Sequence, residues 1–289
     1  LETGLGGLYD CTNVITCSLV SIITSIGYDH MNLLGDTLPK IAFQKAGIVK
    51  HGSSTVIFEQ MPDVDAVFMR ECEKKENQLH IVREADISNY RYDSSLQYFD
   101  YGEMKNIAVN LKGMVQIRNA SICIEAMKIL KDKGYEVSDE SIREGLKTVI
   151  HKARMEKLSD NPFIVYDGAH NEPAMENLHS MVTMYYSDFD RVYIVSILKS
   201  KDYRKMLKIL ASDKEGKFIF TSGNDAERYV DGNTLYECMK EYVDEDRICT
   251  MTLEDAIIST KGSDENTVNL VVGSFYVYGD VVRTIKNMI

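Results

Sequence analysis

The chain has 289 residues, 44% of them hydrophobic, enough for one large domain or two of ordinary size. Its 33 Lys and Arg stand against 44 Asp and Glu, a net charge of -11. That balance lacks a basic nucleic-acid footprint and gives no reason to expect attraction to anionic membranes, so cations for an anionic substrate must be placed locally. No apolar run spans a bilayer and no signal peptide is visible. The six cysteines form no C-x-x-C pair, which argues against zinc and for free thiols in a reducing cytosol.

The chain opens on "LETGLGGLYDCTN", a carboxylate, Glu2, beside a glycine-rich turn. Glycines allow positive φ and close approach of a ligand to the backbone, and a carboxylate there suits a hard cation; an ordinary tight turn with an exposed acid fits equally. Leu19 to Ile26, "LVSIITSI", predicts a buried strand, with Asp29 and His30 just past its end, where α/β sheets gather ligands and where a loop histidine can also make a merely local hydrogen bond. Thr37 and Pro39 predict a helix start, and Lys45 falls in the apolar half of that helix, where it can snorkel, pair with an acid, or stay neutral and take up CO2 as a carbamate. "STVIF" (Ser54 to Phe58) predicts a second strand, Asp63 to about Gln78 a charged amphipathic helix, and Tyr90 to Leu111 antiparallel strands turning at "DYGE". Two helices are expected over Gln116 to Lys133 and Ser138 to Val149.

From "PFIVYDGAHN" onward strands and helices alternate to the chain end, which predicts a parallel doubly wound sheet and places a domain boundary near His151. "VYDGAHN" puts Asp167 and His170 in a strand-to-helix turn, and Arg154 lies just before that strand. An Arg, an Asp and a His at one sheet edge suit a nucleotide's phosphate and ribose, although Asp167 alone can simply cap the helix.

Taken together and in order, "ETGLGGLYDCTNVI", "ITSIGYDHMNLLGDTLPKIAFQKAGIVK", "VQIRNA", "ARMEKL", "YDGAHN" and "GSFYVYGD" resemble the folylpolyglutamate synthase/dihydrofolate synthase family of the Mur ligase superfamily. The resemblance runs from Leu1 to about Asp280 and is thin from Glu59 to Tyr101. It implies an α/β fold, with residues 1–150 as the remainder of a P-loop-type central ATPase domain and 151–289 as a Rossmann-like C-terminal domain. The implied activity is ATP-dependent joining of L-glutamate to a folate or dihydropteroate carboxylate through an acyl phosphate, in a cytoplasmic monomer that uses ATP and Mg2+. By motif, Glu2 and His30 match magnesium ligands, and Lys45 a carbamylated lysine at the metal site. Gln116 and Asn119 match residues near the adenine, Arg154 an arginine reaching the phosphates, and Asp167 and His170 residues that contact nucleotide and close the site.

Leu8, Gln44, Val115, Ala153 and Glu172 stand where the family usually has Arg, Glu, His, Gly and Pro. These departures bear on substrate preference. The P-loop pattern G-x-x-x-x-G-K-[ST] occurs nowhere, so the resemblance implies a chain truncated before Leu1 that, alone, binds ATP poorly and is inactive. Other readings are a different Mur-type amide ligase, or a non-catalytic binding protein that lost its ATPase motif.

Overall fold

The structure, a computed structural model, describes residues 1–93, 96–223 and 225–288. Ser94 and Ser95, within the predicted Tyr90–Leu111 stretch, and Ile289, at the end of the final predicted helix, lie outside the described residues. The chain divides into two compact units, one of residues 1–110 and 114–149, the other of 111–113 and 150–289.

In the first unit β1 (Val20–Ile23), β2 (Ser54–Phe58) and β3 (Gln78–Val82) form a parallel sheet in that order. All five residues of β2 are buried, as its unbroken apolar and hydroxyl run requires of a parallel strand covered on both faces. Following β1 come α1 (Met31–Leu34) and α2 (Leu38–Lys45), and α3 (Pro62–Lys74) follows β2. Thr37 caps α2 through the Lys40 N–H, and Ala42, Val64, Val67 and Phe68 carry α2 and α3 onto Ile23 and Ile57 of the sheet. An antiparallel sheet follows, of β4 (Ile87–Tyr92), β5 (Gln97–Tyr101) and β6 (Met104–Val109), its β5–β6 turn falling in "DYGE". The long helix α4 (Met114–Asp132) packs on all three parallel strands, and α5 (Asp139–Thr148), capped by Ser138, packs on β6.

The second unit is a six-stranded sheet, among the described residues, in the order β11-β10-β9-β12-β8-β7. Its strands are β7 (Glu156–Asp160), β8 (Phe163–Asp167), β9 (Asp190–Val195), β10 (Lys217–Phe220), β11 (Ile248–Thr250) and β12 (Thr267–Val272). Between and after them run α6 (Glu172–Tyr186), α7 (Tyr203–Leu210), α8 (Gly232–Met239), α9 (Leu253–Ser259) and α10 (Tyr278–Met288). Helices α6, α7 and α8 cover one face, where Val165, Tyr193 and Leu270 point; α9 and α10 cover the other, where Ile164, Ile194 and Val271 point. Successive strand residues thus enter opposite cores, and the sequence reads as continuous apolar runs.

The expected parallel sheet carries one antiparallel strand, β7 against β8. The connection from Asp160 to Phe163 is too short for a crossover, so the strand must double back. Among the described residues no helix is long and apolar enough to cross a membrane.

At the amino end of this sheet Arg191 is bound to Asp213 through Nε at 2.7 Å and Nη2 at 3.0 Å, and Nη1 donates to the carbonyls of Tyr186, Ser187 and Phe189. Tyr193 donates to the same carboxylate at 2.7 Å. Burial pushes the Asp213 carboxyl up, but the Arg191 and Tyr193 donors outweigh it and hold it below the ordinary carboxylate range. Removing one partner strands a buried charge, so Asp213→Ala is expected to lower the unfolding free energy by about 3 kcal/mol, read from a denaturant titration. An unchanged midpoint would show the pair to be neutral.

Candidate functional site

The glycine-rich opening lies directly on the carboxyl end of α2. A Cβ at Gly47 would stand 2.2 Å from Leu8 Cα, and one at Gly7 would stand 2.8 Å from the Gln44 carbonyl oxygen. Leu8 N–H donates to the Gln44 carbonyl at 2.8 Å. Asn13 fastens the contact: its Nδ2 donates to the Leu8 and Gly47 carbonyls, and its Oδ1 accepts from Lys50 Nζ at 2.7 Å. Asp10 accepts from the Thr12 hydroxyl and from the Leu5 and Thr12 N–H groups, which bring its carboxyl down to about 2. The loop is therefore held from within and from below.

This arrangement puts Glu2 and Lys45 along one cavity of about 780 Å³, which runs beside β1 and is also lined by Thr3, Thr12, Asn13 and Lys50. Burial lowers the Lys45 ammonium below the usual lysine range, and the Asp29 charge partly offsets this. His30 does not line the cavity. It starts α1 with φ 48°, its N–H on the Asp29 carboxylate at 2.9 Å, and its ring is half exposed. As a test for magnesium, the cavity offers hard oxygen donors from Glu2, Thr3 and Thr12, and a partly desolvated lysine; one carboxylate with hydroxyls suits an ion that keeps most of its water and substrate oxygens. That fits one ion at Glu2.

A second cavity, of about 340 Å³, opens at the carboxyl ends of β1, β2 and β3 against α4. Asn119 lines it, and Asn119 Nδ2 donates to Gln116 Oε1 at 3.2 Å, so the two carboxamides act as a pair. The sequence reading missed its other polar walls, Glu59, Gln60, Glu84 and Arg118. Arg118 donates through Nε to Glu84 at 2.9 Å and lies 5.3 Å over the Phe58 ring. Arg118 belongs to the same "VQIRNA" run as Gln116 and Asn119, and that run was its only sequence signal.

In the second unit Asp167 ends β8 and is 4% exposed. One oxygen accepts from Met155 N–H at 2.9 Å, the other from Ala169 N–H at 2.8 Å. Burial pushes its carboxyl up to about 6; the Met155 amide, the Arg154 charge and the Ala169 amide pull against that rise. Arg154 sits between Ala153 at φ 57° and Met155 at φ 45°, two non-glycine residues in the left-handed region. The hydrogen bonds that hold this turn come from Asp167, from Gly168 N–H to the Ala153 carbonyl at 2.8 Å, and from Glu156, which accepts from Ala153 N–H at 2.6 Å. His170 Nδ1 lies 2.9 Å from the Gly168 carbonyl, and Asn171 caps α6. Arg154, Asp167 and His170 thus come together at one sheet edge.

Residues 153–275 match the Mur ligase glutamate ligase domain. Across the whole length, the chain is 31% identical over 295 residues to the dihydrofolate synthase/folylpolyglutamate synthase of Bacillus subtilis, covering 99% of this chain and 66% of that one. It is 36% identical over 212 residues to the folylpolyglutamate synthase of Lacticaseibacillus casei, covering 71% of this chain and 49% of that one. The crystal structure of Mycobacterium tuberculosis folylpolyglutamate synthase complexed with ADP and AMPPCP superimposes with a TM-score of 0.82 at 25% identity, over 98% of this chain and 67% of that one. The chain belongs to the folylpolyglutamate synthase/dihydrofolate synthase family.

Between pH about 4 and about 6 the folded protein holds a proton on Asp167 that the unfolded chain, at its ordinary value of 3.8, has released. Folding is then favoured as pH falls through that window. Relative to Asp167→Asn, which cannot titrate, the wild type is expected to gain on the order of 2 kcal/mol of unfolding free energy as pH falls across it. Denaturant titrations of both proteins across the window check this; parallel profiles would show that Asp167 does not titrate there.

Proposed function

We propose that the protein is an ATP-dependent ligase that adds L-glutamate to a folate or dihydropteroate carboxylate. Residues 1–150 would serve as the central ATPase domain and 151–289 as the C-terminal domain, in a cytoplasmic monomer. The observation that carries the reading is the gathering of Arg154, Asp167 and His170 at the carboxyl edge of the second unit's sheet, around an Arg whose turn is held open by a buried carboxylate. Relatives named for this activity support it, and the crystal structure of one of them holds ADP and AMPPCP.

The chemistry follows from the substrates. A carboxylate is a poor electrophile, so a folate carboxylate oxygen takes the γ-phosphoryl group of ATP and ADP leaves. The glutamate amine then attacks the acyl carbon, phosphate departs from the tetrahedral intermediate with the P–O–C oxygen, and the amine loses its proton as the amide forms. In this scheme the residues mainly position charge. Arg154 holds phosphate oxygens, Gln116 and Asn119 hold the base, and His170 and the Asp167 turn close over the nucleotide. Magnesium, held at Glu2, would neutralise phosphate charge. Lys45, partly desolvated, is poised to become a carbamate and thereby supply a carboxylate beside Glu2.

Two measurements test this. The full-length gene product should release ADP only when both L-glutamate and either dihydropteroate or tetrahydrofolate are present, and the preferred acceptor assigns the branch. ADP release driven instead by another amino acid and acceptor would point to a different Mur-type ligase, and none with any pair would remove the enzyme reading. Lys45→Ala should lower turnover about a hundredfold, with partial recovery on adding a small carboxylic acid. Full activity in that variant would leave Lys45 a structural residue.

A further inference from the structure

Phe275, in the loop after β12, touches both the Arg154 and the His170 side chains of the second unit's site. The Arg154 guanidinium lies 4.7 Å over its ring centroid. The His170 ring meets it edge-on, with centroids 5.2 Å apart and planes at 63°. The ring also rests on the Asp167–His170 turn itself, since a Cβ at Gly168 would stand 2.2 Å from Phe275 Cε1.

The loop that presents the ring is fixed at each residue before it. Gly273, at φ 105°, passes so close to Ser196 that a Cβ would lie 2.4 Å from its carbonyl oxygen. The Ser274 carbonyl accepts from Tyr166 OH at 2.5 Å, and Ser274 Oγ accepts from Tyr276 N–H at 3.1 Å and lies 3.2 Å from Tyr229 OH. Tyr166 and Tyr229 are both buried. The ring therefore has little freedom to follow the arginine; the arginine must follow the ring.

Among the described residues the Arg154 guanidinium makes no ion pair. Stacking uses the faces of a guanidinium and leaves its in-plane N–H donors free for an anion. A long arginine on a turn would otherwise lose side-chain entropy when it grips a phosphate, and an aromatic platform removes part of that loss in advance.

We infer that Phe275 is a positioning residue that holds the Arg154 guanidinium and the His170 ring in one arrangement for the triphosphate. This rests on the proposed function of Arg154. The full-length gene product should show kcat/KM for ATP lowered about tenfold in Phe275→Leu, which fills the space without a ring face, and near wild type in Phe275→Tyr, with both melting temperatures unchanged. Phe275→Leu and Arg154→Lys should be non-additive, because an ammonium cannot stack as a plane.

Wild-type kcat/KM in Phe275→Leu would overturn the inference and leave the ligase reading intact. So would equal losses in the Leu and Tyr variants together with a fall in melting temperature, or additive effects with Arg154→Lys. A wild-type protein with no ATP turnover under any acceptor pair would remove the ligase reading and this inference together.

Discussion

A single buried carboxylate organises the site of the second unit. Asp167 ends a central strand and ties two separate segments, through Met155 N–H on one oxygen and Ala169 N–H on the other. Each segment carries a candidate site side chain, Arg154 on the first and His170 on the second. The carboxylate bears the cost of burial, seen in its upward displacement to about 6, and in return a turn with two left-handed non-glycine residues persists. The Ala153 and Met155 conformations would have no reason to survive in an isolated loop.

The first unit solves a related problem with shape instead of charge. Its glycine-rich opening meets the end of α2 backbone to backbone, at Gly7 and Gly47, where no side chain would fit. Asn13 then closes the contact with three hydrogen bonds. Glu2 and Lys45, far apart in sequence, face one cavity as a result. In the second unit the candidate groups sit on short turns braced by a regular scaffold, while in the first Glu2 lies on the opening loop and Lys45 ends α2.

The sequence disclosed the scaffold where burial was complete on both faces. "STVIF" is β2 as read, and the strand–helix alternation after "PFIVYDGAHN" is the second unit's sheet. It concealed β3, whose Gln78 and His80 break the apolar run on a half-covered edge, and β7, "EKLSD", a half-buried edge strand of mostly polar residues. At the site, motif order brought Arg154, Asp167 and His170 into view. Phe275 stayed hidden as a partner because its contacts join residues more than a hundred positions apart, and an aromatic in "GSFYVYGD" reads first as core. His30 and Lys45, neighbours in the motif, differ in setting: Lys45 lines the cavity with Glu2, and His30 stands at the start of α1 with a half-exposed ring beside the Asp29 carboxylate.

The Arg191–Asp213 pair lies at the amino end of the same sheet whose carboxyl end holds Asp167. Each end has its own buried charge, and the strands between them bury apolar side chains on both faces. Tolerance to mutation is thereby partitioned along the strands. Loops at the carboxyl rim can exchange residues without touching the Arg191–Asp213 pair, which ties the amino rim separately. A lineage could retune what the rim recognises through many such exchanges without passing through an unfolded ancestor.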